Sequence, residues 1–235
     1  MGREEPGVIL NDGRRVDASE QFRDYDEGFF ATGGMESLAS WVADGCPDAE
    51  PIPANARIGP PVERPSKIIC VGLNYLQHAR ESGVEPPAEP VLFMKATTAW
   101  SGPEDPVIYP PGGSKLDYET ELAVVIGRTA RQVDESRAND YIAGYSVICD
   151  VSERTFQKDH GGQWVKGKSC DSFAPIGPWL TPVASVDDPQ ALRVWTKVNG
   201  ELRQNDWTSG MLHPVSYLVS YISRFMTLLP GDVIA

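Results

Sequence analysis

Leu116-Asp117-Tyr118-Glu119-Thr120-Glu121-Leu122-Ala123-Val124-Val125-Ile126-Gly127 joins an acidic mouth to an apolar run. The second half is rich in β-branched residues and closes at Gly127, the pattern of a buried strand. Glu119 and Glu121 stand two residues apart, and on a strand such residues point to one face. Both carboxylates therefore leave the same face at the mouth of a core strand. Two like charges that close repel by about 4 kcal/mol at an effective dielectric of roughly 20. Solvent, a shared proton, a basic partner or a divalent cation must offset the repulsion, and a metal ion is the expectation.

On the N-terminal side of this stretch, Lys67 to Val71 predicts a buried strand that stops at Gly72. Leu73 to Gly83 reads as a short helical turn, in which His78 and Glu81 share a face. A carboxylate beside an imidazole fixes its tautomer and makes it a better base, although a solvated surface pair is the commoner meaning of that spacing. Val91 to Met94 is a further strand ending in Lys95, followed by a turn-rich loop from Thr97 to Ser114. On the C-terminal side, Gln132 to Asp140 predicts a short helix. Tyr141 to Cys149 returns as a strand and ends in Asp150, a third acid closing an apolar run.

Beyond Asp150, Val151 to Gln157 predicts a helical turn with Arg154 and Gln157 facing one ligand. Lys158 to Lys168, with Gly161-Gly162, reads as a mobile loop. Pro175 to Pro182 is punctuated by three prolines and Gly177. Val194 to Val198 is a strand leading into the hairpin signal Asn199-Gly200. Pro214 opens a helix whose stripe of Val215, Leu218, Val219, Ile222, Phe225 and Met226 is core packing. Leu229 to Ala235 looks like the start of a strand.

Residues 1 to about 60 read as a small separate unit, and 61–235 as the main domain. In the small unit, Asn11-Asp12-Gly13 is a hairpin turn between Val8-Ile9-Leu10 and Arg14 to Asp17. Gly34 to Ala43 predicts a helix, and Pro47 to Pro65, with six prolines, an extended connector. The formal net charge of -12 and the lack of a basic run argue against nucleic acid as a partner. No apolar run approaches the roughly 20 residues needed to span a bilayer, so no membrane is expected. The four cysteines form no Cys-x-x-Cys pair, which argues against a zinc cluster or disulfide framework and fits a reducing cytoplasm. The three histidines are not at zinc-ligand spacing. Oxygen donors such as Glu119, Glu121 and Asp150 select Mg, Mn or Ca, though solvated carboxylates at strand ends are the commoner pattern.

Four segments together resemble the fumarylacetoacetate hydrolase family: Val71-Gly72-Leu73-Asn74-Tyr75-x-x-His78, Leu116 to Glu121, Tyr145 to Asp150 and Leu228-Leu229-Pro230-Gly231-Asp232. The resemblance runs from about residue 58 to the end. It implies a mainly β (α+β) fold, a rolled, barrel-like mixed sheet with few short helices, a small N-terminal domain and a homodimer. It assigns Glu119, Glu121 and Asp150 to Mg2+, with Mn2+ or Ca2+ possible. His78 and Glu81 correspond to a water-activating pair on a lid, and Lys168 to the lysine that stabilises developing negative charge. Arg154 and Gln157, with Lys95 more weakly, match positions near a small-molecule keto acid substrate. The implied reaction is C–C cleavage of a 2,4-dioxo acid, an acylpyruvate or 2,4-diketo-3-deoxy sugar acid. Isomerases of hydroxymuconate-type diacids, oxaloacetate decarboxylases and ureidoglycolate lyases share the motifs, and a metal-binding scaffold that retains only the fold is the non-enzymatic rival. The family continues past Pro-Gly-Asp into a Thr-Gly-Thr-Pro segment that the sequence, ending at Ala235, lacks; a truncated catalytic domain is the expectation.

Overall fold

A computed structural model describes residues 4–81 and 83–235. The elements run β1 (Gly7–Ile9), β2 (Arg15–Asp17), α1 (Glu27–Ala31), α2 (Gly34–Ala43), β3 (Ile68–Gly72), α3 (Leu76–Glu81), β4 (Val91–Lys95), β5 (Trp100–Ser101), β6 (Leu116–Asp117) and β7 (Thr120–Ile126). They continue with β8 (Ile142–Cys149), β9 (Ser152–Glu153), α4 (Arg154–Lys158), α5 (Val165–Lys168), β10 (Ala174–Pro182), β11 (Arg193–Val198), β12 (Glu201–Trp207), α6 (Val215–Phe225) and β13 (Val233–Ile234). The mainly β expectation holds. Among the described residues, seven strands form one mixed sheet in the order β4-β3-β13-β7-β8-β10-β5, and three two-stranded ribbons accompany it. Within the sheet, β13 is parallel to β3 and antiparallel to β7.

Alternation along the strands sends side chains into two cores. Ile69, Leu122, Val124 and Ile126 face Val215, Leu218, Val219 and Ile222 of α6. Full burial of such side chains is worth about 1.5–3 kcal/mol each, which makes this helix the cover of one face. Phe225, the fifth residue of the predicted stripe, is instead 64% exposed. Ile68, Cys70, Ala123, Val125 and Ile148 face the other way and meet Phe29, Phe30, Val62 and Phe173. The N-terminal segment has a cluster of its own around Val16, Ala18, Trp41 and Cys46, while its two phenylalanines enter the sheet's second core.

The structure refines three readings of the chain. Ala174–Pro182 is a nine-residue strand despite its prolines. Its register against β8 shifts between Gly177 and Thr181, so Pro178 falls where no ladder donor is demanded. Gln132 to Asp140 gives a 3-10 helix over Glu135–Tyr141. The stretch read as a loop up to Lys168 closes with α5, so Lys168 is held rather than loose. The four cysteines are free, and no helix among the described residues is long and apolar enough to cross a membrane.

Candidate active site

The second core turns polar at one end. Glu119 immediately precedes β7, Glu121 lies within it, and both share the face of Ala123 and Val125. Asp150 follows β8, which pairs with β7 in the register Thr120↔Cys149 and Glu121↔Ile148. The Asp150 amide donates to the Glu119 carbonyl at 2.7 Å, which ties the two strand ends together. Lys95 ends β4 opposite Ile68 and so emerges on the same face.

Cations fill much of this cluster. The Lys168 ammonium donates to Glu119 Oε2 and to Asp150 Oδ2, both at 2.6 Å. Lys95 Nζ donates to Asp150 Oδ1 at 2.5 Å and to the Val151 carbonyl at 3.0 Å. Arg154 reaches Glu119 Oε1 at 2.5 Å, Asp117 Oδ2 through Nε and Nη2 at 2.9 and 2.8 Å, and Gln157 Oε1 at 3.0 Å. Lys95 and Lys168 are 2% and 1% exposed, so both are committed to these partners. Burial alone would raise the Glu119 carboxyl. The Lys168 charge, then Arg154, overcomes that and brings it down to about 2.

The supports are local. Glu153, fully buried, caps α4 by accepting from the Phe156 amide and binds the Ser114 and Lys115 amides through its other oxygen. Gly167 brings α5 against this turn, where a Cβ would stand 2.3 Å from the Glu153 carbonyl oxygen. Only a residue without a side chain fits, and the close approach delivers Lys168 to the acids. Beneath it, Phe93 carries the ammonium 5.0 Å from its ring centroid and packs edge-on against Trp164.

Glu121 differs from its neighbours. Among the described residues it makes no ion pair and its side chain accepts no hydrogen bond. Burial, then the charges of Glu119 and Asp150, pushes its carboxyl up to about 8. The expected trio around one point is therefore not formed: no three acidic or metal-ligating side chains among the described residues stand in place to hold an ion. Glu119 and Asp150 do share a point, and the Lys168 ammonium takes it. The donor set still fits a hard divalent cation, because an unpaired carboxylate beside two others is short of positive charge.

His78 Nε2 lies 3.9 Å from Glu119 Oε1 on a side chain that is 45% exposed, so the imidazole meets both water and the acids. Its expected partner does not accompany it. Glu81 accepts from Gln77 Nε2 at 2.8 Å, and no hydrogen bond or ion pair between His78 and Glu81 is formed among the described residues. An i,i+4 neighbour has outcompeted the i,i+3 one. Arg154, Gln157, Lys95 and Lys168 are thus brought together with Glu119 and Asp150; Glu81 is not. Two supporting residues had no role in the sequence reading, Asp117 and Glu153. The period-2 rule that picked Glu119 and Glu121 also reaches Asp117, whereas nothing in the sequence announces a buried capping carboxylate at 153.

A sequence profile described as fumarylacetoacetate (FAA) hydrolase C-terminal matches residues 67–235. A relative from Burkholderia multivorans, assigned provisionally as a hydrolase, is 46% identical over 233 residues, covering 99% of this chain and 82% of its own. Among solved structures, a 5-carboxymethyl-2-hydroxymuconate delta-isomerase from Mycobacterium smegmatis is 42% identical with a TM-score of 0.71, over 79% of this chain and 72% of that one. A maleylpyruvate hydrolase from Sphingobium, solved with manganese(II) and pyruvate, is 30% identical with a TM-score of 0.81, over 98% and 84%.

Proposed function

This chain belongs to the fumarylacetoacetate hydrolase family, and from that premise we propose that it is a metal-dependent hydrolase of 2,4-dioxo acids of the acylpyruvate type. One observation carries the reading: Lys168, Glu119 and Asp150 meet at 2.6 Å at the polar end of the sheet, with Arg154 and His78 beside them. A divalent cation such as Mg2+ or Mn2+, when bound by Glu119, Glu121 and Asp150, supplies Lewis-acid polarisation of the 2-oxo acid.

The chain's own groups have separable tasks. Arg154 keeps one Nη1 proton of its planar fork for a substrate oxygen, the other four N–H groups being taken by Asp117, Glu119 and Gln157. Asp117 and Gln157 hold that fork in place. His78, open to solvent, takes a proton from the water that adds to the 4-oxo carbon. The C3–C4 bond then breaks. The acyl part leaves as a carboxylic acid, and the electron pair stays on the pyruvate fragment as an enolate. Lys168, buried and held protonated by Asp150 and Glu119 against the cost of burial, stabilises that charge and can return a proton to it.

The 42% identity to an isomerase of hydroxymuconate type favours a second reading, in which the same enolate is reprotonated without C–C cleavage. Acylpyruvates and hydroxymuconate-type diacids, each tested with Mg2+ and Mn2+, separate the two by their products. Pyruvate release is expected. His78→Ala should retain metal binding and lose turnover by about 100-fold or more. Formation of no pyruvate and no isomerised product from any of these substrates would remove the reading.

A further inference from the structure

Thr120 stands between Glu119 and Glu121 and is the first residue of β7. Its two neighbours send their carboxylates to one face, so its own side chain leaves the other. The Asp150 amide donates to the Glu119 carbonyl at 2.7 Å. That makes Glu119 and Asp150 a hydrogen-bonded pair and turns the Thr120 amide away from β8. Both the amide and the hydroxyl of Thr120 are met by the β11–β12 hairpin. Gln204 Oε1 accepts from the Thr120 amide at 3.0 Å, and the Thr196 and Thr120 hydroxyls hydrogen-bond to each other. Thr196 and Gln204 lie opposite one another in the hairpin ladder. One cross-strand pair therefore holds Thr120 at its edge and at its back.

The hairpin is itself anchored at its root. The Thr208 amide donates to the Leu192 carbonyl at 2.8 Å, and the Leu192 amide donates to Thr208 Oγ1 at 2.9 Å. Gln190 carries this root to α6: its Nε2 donates to the Thr208 carbonyl and its Oε1 accepts from the Val215 amide, both at 3.0 Å. α6 covers the face of β7 that carries Leu122 and Val124, which is also the face of Thr120. The hairpin and the strand it grips thus share one support, while the outer face of the hairpin, with Trp195, Leu202 and Trp207, is exposed.

The ends of elements open locally more readily than their middles, whereas binding groups must be held within about 0.5 Å of their working places. Lys168 and Arg154 restrain the Glu119 side chain directly. Among the described residues Glu121 has no such partner, so the backbone of β7 sets its direction. We infer that Gln204 and Thr196 are positioning residues for the acid pair: their grip on Thr120 fixes how Glu119 and Glu121 leave the strand, and with it the geometry offered to a divalent cation. The proposed metal-dependent site is the premise, and the hairpin adds to it two residues that touch neither cation nor substrate.

Gln204→Met keeps the side-chain length and removes the acceptor, and Thr196→Val keeps the shape and removes the hydroxyl. Leu202→Ala, on the outer face of the same hairpin, is the control. Each chain is measured for Mn2+ affinity by calorimetry and for its unfolding midpoint without metal. The expected result is Mn2+ binding weakened about tenfold in Gln204→Met, the lower end of what groups that orient metal ligands contribute, by a smaller factor in Thr196→Val, and not at all in Leu202→Ala. Mn2+ affinity within twofold of wild type in whichever of the two clamp variants folds would mean that these contacts hold only the hairpin. A loss in Leu202→Ala equal to that in Gln204→Met would mean that any disturbance of the ribbon suffices, and failure of both clamp variants to fold would assign the contacts to the fold. Each of these overturns the inference while leaving the metal-dependent reading standing. A wild-type chain that binds no Mn2+ removes both.

Discussion

Glu119 and Glu121 leave the same face of one strand mouth two residues apart, yet one carboxyl lies at about 2 and the other at about 8. Burial acts on both in the same direction. The difference comes from what surrounds them. Glu119 has Lys168 at 2.6 Å and Arg154 at 2.5 Å, whereas Glu121 has two neighbouring acids and pairs with no cation among the described residues. One half of the cluster is internally neutralised and the other waits for positive charge. Spacing on a strand delivers two carboxylates to one place, but the cations brought from α4 and α5 pair with only one of them.

The sharpest way to break this contrast is to remove the cation that makes it. Lys168→Met leaves Glu119 and Asp150 buried with one partner fewer. Breaking a buried pair from one side costs about 3–5 kcal/mol. The expected outcome is a loss of that size in urea unfolding, together with a fall in turnover of about 100- to 1000-fold if Lys168 stabilises developing charge. A stable, fully active Lys168→Met protein would show that the two halves of the cluster are not distinguished by this ammonium.

A gentler change compares the two glutamates directly. Glu119→Gln strips Lys168 and Arg154 of a charged acceptor and is expected to cost about 2 kcal/mol at pH 7. Glu121→Gln removes a carboxyl with no partner and is expected to be neutral or stabilising. The pH dependence separates them further. Glu121 titrates higher in the folded chain, about 8, than its ordinary value of 4.5, so its contribution is fully present below pH 4.5 and is lost as pH rises through 8. The steepest slope one such proton allows is about 1.4 kcal/mol per pH unit. Glu119 titrates lower when folded, about 2 against 4.5, so its contribution is present above pH 4.5 and is lost as pH falls through 2. Unfolding free energies of wild type and Glu121→Gln at pH 5.5 and 8.5 should therefore diverge in favour of the variant at the higher pH. Parallel profiles would mean that Glu121 is ionised throughout.

The same contrast explains what the sequence could disclose. Where a local rule suffices, it succeeded: α2 spans Gly34–Ala43 as its periodicity predicts, and Asn11-Asp12-Gly13 and Asn199-Gly200 each turn a hairpin. β7 and β8 stand out as apolar runs because both their faces are buried. The acids were legible for the same reason, as charged residues where such runs end. What was hidden depends on contacts between distant segments. Leu229 to Ala235 reads as the start of a strand, and Val233–Ile234 is one; its central place in the sheet is what stays hidden, because Ile68–Ile69 and Val124–Val125 receive it on either side. Lys168 reads as the end of a glycine-rich loop, and its burial depends on Gly167 resting against Glu153 and Gln157. The His78–Glu81 spacing was visible, but Gln77 lay one position better placed for Glu81.

The smallest expected effect concerns the floor beneath Lys168. The Phe93 ring sits under the ammonium at 5.0 Å, and Trp164 braces that ring from the side while resting on Gly72, where a Cβ would come within 2.7 Å of the indole. A cation over an aromatic face is worth about 0.5–1 kcal/mol when exposed and about 2 when desolvated. This one is desolvated, but two carboxylates already neutralise the ammonium, so the ring adds little to its charge balance and mainly fixes its position. Phe93→Leu retains apolar volume and removes the π face. It should lower unfolding free energy by about 1 kcal/mol and reduce kcat more than it changes KM, since the ammonium would remain protonated but less well aimed. A loss as large as that of Lys168→Met would mean that the ring, rather than Glu119 and Asp150, is what keeps the cation in its half of the cluster.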